Sequence, residues 1–172
     1  MSPRHPSSDD VLPGRLRPAD AGEVLTIQRA AYVTEAQAHA DLQLPPLTQG
    51  LDDLREELAR PSVHGWGIRD AGRLVAAVRS EIRDDVAHVG RLVVVPDRQG
   101  EGLGSGLLRH AEAHLPAGVR VIELFTGEHS HANLRLYRRL GYRDTHRTDV
   151  GRYALVHLRK QREGRDAGPR PP

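Results

Sequence analysis

The chain has no cysteine. That single absence removes disulfides, thiolate nucleophiles and sulfur-ligated metals together. Lysine is almost missing as well: Lys160 is the one lysine among 25 basic residues, and the rest are arginine. Long apolar runs are absent, none approaching the roughly 20 residues that span a bilayer. The opening "MSPRHPSSDD" lacks the apolar segment of a secretory signal. A cytoplasmic protein with no membrane partner is the expectation. Charge of one sign is not in excess, since the formal net charge is only +2 and the arginines are scattered. No nucleic-acid partner follows from that balance. Aromatics are few, with one Trp, one Phe and four Tyr. Histidine is the exception, at ten residues. His110 and His114 in "HAEAH" lie four apart, but the Glu is misplaced for His-Glu-x-x-His and no third ligand is evident. No metal is expected.

What is present reads as one domain. At 172 residues the chain can bury a single core. Residues 1–10 are polar and rich in Pro and Ser, and 161–172 ("QREGRDAGPRPP") form a charged tail; both are expected to be disordered, leaving a domain over 11–160. "VLPGRLRPADAGEVLTIQRAAY" reads as a short strand and a helix, with Asp20 as its cap and Glu23 completing a capping box. A linker from Gln37 to Leu47 leads to a second helix, capped by Thr48 and striped by Leu51, Leu54 and Leu58. Val63–Arg69 and Arg73–Ser80 make a hairpin across "DAG", and Ala87–Val95 a more buried strand. Leu103, Leu107, Ala111 and Leu115 mark the next helix. Val119–Thr126 is a strand, and Ser130–Leu140 a helix stopped by Gly141. Tyr142–Arg147 and Tyr153–Arg159 close the order as an antiparallel pair. The series β-α-α-β-β-β-α-β-α-β-β implies an α/β, mixed α+β fold with a mixed sheet and helices on both faces.

The chemistry begins at "VVVPDRQGEGLGSGLL", Val93 to Leu108, where glycines fall on alternate positions at 100, 102, 104 and 106. A strand handed to a helix through bare backbone points several N–H groups at one spot, and the helix dipole adds positive potential there. A phosphate is the expected guest. A P-loop would need a lysine after its second glycine, and none stands here. A dinucleotide fingerprint needs Gly-x-Gly-x-x-Gly at the start of a parallel unit, whereas a hairpin precedes this turn. The remaining pattern is Gln/Arg-x-x-Gly-x-Gly/Ala, matched by Gln99, Gly102 and Gly104, with Pro96 three residues ahead.

On those residues the chain resembles the GNAT superfamily of N-acetyltransferases. A second motif supports the resemblance: "SHANLRLYRRLGY", Ser130 to Tyr142, is similar to the family's Asn-x-x-Ala-x-x-x-Tyr-x-x-x-Gly-Phe helix. Together with the element order it covers Arg15 to Arg159. The resemblance implies a central sheet of about seven strands whose middle strands splay apart. It also implies acetyl-CoA as cosubstrate, with its pyrophosphate on the turn formed by Gln99, Gly100, Glu101, Gly102, Leu103, Gly104 and Ser105. Pantetheine would pair with the backbone of Leu92, Val93 and Val94 like an added strand.

The resemblance further implies Tyr137 as general acid toward the departing thiolate. Ser130, Asn133 and Tyr137 fall at i, i+3 and i+7 and so share one helical stripe. The family's asparagine is Ser130 here, with Asn133 one turn on, and either could contact the cofactor. His88 and Glu81 are candidate bases for the incoming amine, with Glu123 a third. The acceptor side falls at Tyr32–Leu47 and Arg147–Arg152, where Tyr32 and Glu35 are candidate substrate contacts. The implied activity is acetyl transfer to a primary amine, of a small molecule or a peptide, by a monomer or homodimer. The alternative is a non-catalytic acyl-CoA-binding sensor or partner-binding module.

Overall fold

A computed structural model describes residues 12–162. The expectations for residues 1–10, and for the tail beyond residue 162, lie outside the described residues. A seven-stranded sheet is built from β1 (Gly14–Arg15), β2 (Val63–Asp70), β3 (Arg73–Arg83), β4 (Val86–Val94), β5 (Val121–Gly127), β6 (Arg143–Asp149) and β7 (Ala154–Gln161). The strand order is β1-β2-β3-β4-β5-β7-β6. Every neighbouring pair is antiparallel except β4–β5. The helices are α1 (Ala21–His39), α2 (Pro45–Thr48), α3 (Leu51–Ala59), α4 (Leu103–Ala113) and α5 (His131–Arg139). Among the described residues no helix is long and apolar enough to cross a membrane.

Alternation along β3 divides the helices between the two faces of the sheet. Arg79 points to one face, where its guanidinium bonds Gln28 of α1 and Glu57 of α3. Val78 points to the other, beside its partner Trp66, whose ring meets His110 of α4 at 4.6 Å between centroids. One core joins the layers, including Val24 and Ile27 of α1, Leu54 of α3, Leu107 and Leu108 of α4, and Val156 and Leu158 of β7. The β2–β3 turn places Ala71 and Gly72 at φ +47° and +84°, the left-handed pair of a two-residue hairpin loop.

Three local expectations are corrected. Asp20 and Glu23 do not cap α1. The chain is already helical over Pro18–Asp20, so Asp20 has helical rather than extended dihedrals, and its carboxylate accepts from the Arg17 N–H. Both acids instead hold Arg69 of β2, at 2.8 Å each. Thr48 does not cap α3, because Pro45 and Pro46 open a short turn of helix that ends at Thr48. Gly50 precedes α3 and donates its N–H to the Asp53 carboxylate at 3.3 Å. The final strands do form the expected antiparallel pair, with β7 lying between β5 and β6. Lastly, Gln161 and Arg162 belong to the fold. Gln161 pairs with Val121, and the Arg162 guanidinium donates to the carbonyls of Leu115 and Pro116. The stop at Gly141 is as expected: at φ +92° it donates to Arg138, and Tyr142 donates back to Tyr137.

Candidate active site

The parallel pair at the centre of the sheet is short. β4 meets β5 only at Val86–Val121, Ala87–Ile122 and His88–Glu123. Beyond His88 the strands part, because β5 stays bonded to β7 along its whole length while β4 follows β3. From Val89 onward the β5-side edge of β4 is therefore open. β4 is also bulged. Ala77 faces Val93 and Arg79 faces Gly90, so three steps on β4 oppose two on β3, and Arg91 absorbs the extra residue at φ +55°.

A cavity of about 820 Å³ fills the wedge. Its walls are β4 from Val89 to Val94, the end of β5, the C-terminal half of α1, the start of α4, and Asn133, Leu136 and Tyr137 of α5. Pro96–Arg98 form a short helical turn that leads from β4 to α4. Gly100 and Gly102 then take φ +83° and +82°, a conformation in which any other L-residue is strained. No side chain caps α4, so its first N–H groups are left for whatever enters the cavity. Ion pairs fix the turn: Arg98, which itself lines the cavity, holds Glu101 and Asp70, and Arg73 holds Asp97 at 2.7 Å. Gln99 donates its amide to the Val94 carbonyl at 3.1 Å and braces the same bend.

Of the residues singled out in the sequence, Leu92, Val93, Val94, Gln99, Gly100, Gly102, Leu103, Gly104, Ser105, Asn133, Tyr137, Tyr32 and Glu35 line the cavity. Leu103 turns its side chain into the core, so its part in the site is its backbone. Glu101 is held aside by Arg98. Ser130 and Asn133 are both committed to Glu35: the serine hydroxyl donates to one carboxylate oxygen, and the Asn133 amide donates to the other at 3.2 Å. His88 and Glu81 stand outside the lining. His88 faces Glu123 at 3.9 Å, and Glu81 pairs with Arg83 at 2.7 Å. Burial, and after it the nearby Tyr32 and Glu35, pushes the Tyr137 phenol well above its ordinary range. It therefore keeps its proton throughout neutral pH.

The two segments expected on the acceptor side, Tyr32–Leu47 and Arg147–Arg152, meet over this space as a roof whose individual pairings no sequence pattern gives. His39 donates from Nδ1 to the Glu35 carbonyl at 2.9 Å, and its Nε2 accepts from the His129 N–H at 3.3 Å. Its ring lies 4.4 Å from that of Tyr153, and Arg152 donates to the Ala40 carbonyl at 3.1 Å. These contacts tie the end of α1 to the β6–β7 loop. Arg91 was also missed, although one arginine inside the apolar run "HVGRLVVV" was the available signal.

The sequence pattern of the Acetyltransferase (GNAT) family matches residues 28–142. The chain belongs to the GNAT family. The match spans the wedge, the glycine turn and the Tyr137 helix together. Solved structures share the GNAT fold at low identity. The ribosomal-protein-S18-alanine N-acetyltransferase of Escherichia coli superposes with a TM-score of 0.73 at 18% identity, covering 93% of this chain and 99% of that one. The PaiA N-acetyltransferase of Thermoplasma acidophilum, solved in complex with coenzyme A, gives 0.73 at 16% identity, covering 86% and 98%. A curated relative, the UPF0157 protein YqkA of Bacillus subtilis, is 28% identical over 122 residues, or 71% of this chain. The chain spans about a third of that relative's length, 34%.

Proposed function

We propose that this chain transfers an acetyl group from acetyl-CoA to the primary amine of an acceptor by direct attack. The observation that carries this reading is the wedge. A strand edge opened by a parallel pair that stops at His88–Glu123 runs directly onto an uncapped helix N-terminus, with Tyr137 on the facing wall. The residues present fit the cosubstrate: left-handed glycines keep side chains off the turn, and about 820 Å³ is open beside them.

Bound there, acetyl-CoA supplies an activated acyl thioester. The N–H groups of Gly100 to Ser105 hold its pyrophosphate, and the open edge at Leu92, Val93 and Val94 receives its pantetheine amides in the manner of an added strand. A backbone N–H at the β4 bulge polarises the thioester carbonyl and steadies the charge that develops on its oxygen. The free amine nitrogen bonds to the carbonyl carbon, the carbon–sulfur bond breaks, sulfur takes the Tyr137 proton, and the surplus proton on the new amide nitrogen returns to the Tyr137 oxygen. Glu35, fixed by Ser130 and Asn133, presents a carboxylate to the incoming ammonium beside Tyr32. Before the attack, His88 or Glu81 receives one ammonium proton through water, since neither side chain lines the cavity.

Tyr137→Phe is the discriminating variant. Its dissociation constant for coenzyme A, by calorimetry, should stay within about threefold, while kcat falls by a factor on the order of 10² or more. Unchanged turnover would remove Tyr137 from the proton path. A wild-type protein that binds acetyl-CoA tightly and turns over no amine would be the non-catalytic sensor instead.

A further inference from the structure

Two arginines act on the Tyr32 hydroxyl from the α1 side of the sheet, Arg91 also as a hydrogen-bond donor, and they differ in the counter-charge they already hold. Arg79 is spent: Glu57 takes its Nε at 2.8 Å, and Gln28 and Gln49 take its terminal nitrogens. Arg91 is not. Among the described residues no carboxylate lies within 4 Å of its guanidinium, and its Nε is shut off from solvent without a hydrogen-bond partner. The bulge is what turns it inward, because Arg91 at φ +55° lines the cavity wall together with Tyr32 and Glu35. Arg91 is half-buried with no counter-charge of its own, and a planar fork of donors is shaped for a carboxylate.

Resting on the transferase reading above, we propose that Arg91 binds a carboxylate on the acceptor, so that the preferred acceptor is an amine that carries an acid, such as an amino acid or a short peptide. The same cavity offers Glu35 for the ammonium end, and both charges act on the Tyr32 hydroxyl. A zwitterion laid across Tyr32 satisfies both. The coenzyme's phosphates have their own donors at the start of α4. That turn borders Val94 on the strand, since a methyl group at Gly104 would lie 3.5 Å from the Val94 side chain. Arg91 is left to the other substrate.

The test uses matched acceptors with acetyl-CoA: a set of amino acids, the same compounds as carboxamides, and the corresponding decarboxylated amines. The wild-type protein should favour the acids over their amides by about tenfold or more in kcat/KM. Arg91→Gln should bring that ratio near one by raising KM for the acids. Arg91→Lys, a point charge without the fork, should restore part of it. Equal use of acids and amides by the wild-type protein would overturn the proposal, as would an Arg91→Gln variant that keeps the wild-type ratio. Calorimetric titration of the same pairs into the coenzyme A-saturated protein reads the preference without turnover. If no amine releases coenzyme A yet the acids bind preferentially there, the transferase reading fails and the carboxylate site stands.

Discussion

Single side chains decide how tightly the roof of the site closes. Gly127, the last residue of β5, lies directly under the His39 ring, and a methyl group added there would collide with the ring nitrogen and carbon. His39 has little room to yield, because Glu35 and His129 hold its two nitrogens and Tyr153 packs on its face. Gly127→Ala should therefore lower stability by about 1–3 kcal/mol in urea unfolding. The same change made in a His39→Ala background should cost less than half as much. Equal costs in both backgrounds would show that the ring is not the obstacle. This contact pairs positions 88 residues apart by sequence, and no local pattern in either segment announces it. Asp20 and Glu23 teach the same lesson. Their spacing satisfies a capping box, yet their partner is Arg69, which a sequence window around the helix does not contain.

Elements carry the part of the site that is legible in the sequence. The strand, turn and helix around Pro96 to Leu108 are written in local chemistry: branched residues, then proline and glycine, then leucines at helical spacing. The alternating glycines nevertheless look equivalent and are not. Gly100 and Gly102 have positive φ, whereas Gly104 and Gly106 sit inside α4 with ordinary helical backbone. Gly102→Ala should strain the turn by about 1–2 kcal/mol and weaken coenzyme A binding roughly tenfold. Gly106→Ala meets nothing within 4 Å, and should leave binding unchanged while stabilising the helix by about 0.8–1 kcal/mol. Calorimetric titration and urea unfolding of the two variants distinguish the roles. The bulge in β4 was not legible, since Gly90 and Arg91 leave the strand's apolar pattern intact to either side. Its consequence, an arginine turned toward α1, follows only from the register against β3.

At the scale of the whole molecule, composition and burial together set the alkaline limit. With no cysteine and one lysine, the tyrosines dominate the groups that titrate near pH 10. All four are raised above their ordinary value, with burial the first cause at Tyr32, Tyr137, Tyr142 and Tyr153 alike. The unfolded chain thus gives up phenol protons at a pH where the folded protein still holds them. Stability is intact below pH 10 and declines as pH climbs above it. The urea midpoint should fall between pH 9 and 11, and Tyr142→Phe, which removes the phenol that bonds Glu112 at 2.7 Å, should make that fall shallower. An unchanged slope would exclude Tyr142 as a contributor. The fold as a whole was readable because each element keeps its own period and the order of elements admits few topologies. Of the proposed acceptor side, the α1 and β6–β7 segments were named from the resemblance, but the β4 bulge's share of the wall was not, because these elements meet only in three dimensions. The most direct measurement is coenzyme A release by the purified protein supplied with acetyl-CoA and a panel of primary amines, with the product identified by mass. Release that depends on the amine and yields its N-acetyl derivative is the expected result. Failure to bind acetyl-CoA at all would contradict the assignment of the glycine turn, and with it the acetyl transfer proposed for the wedge.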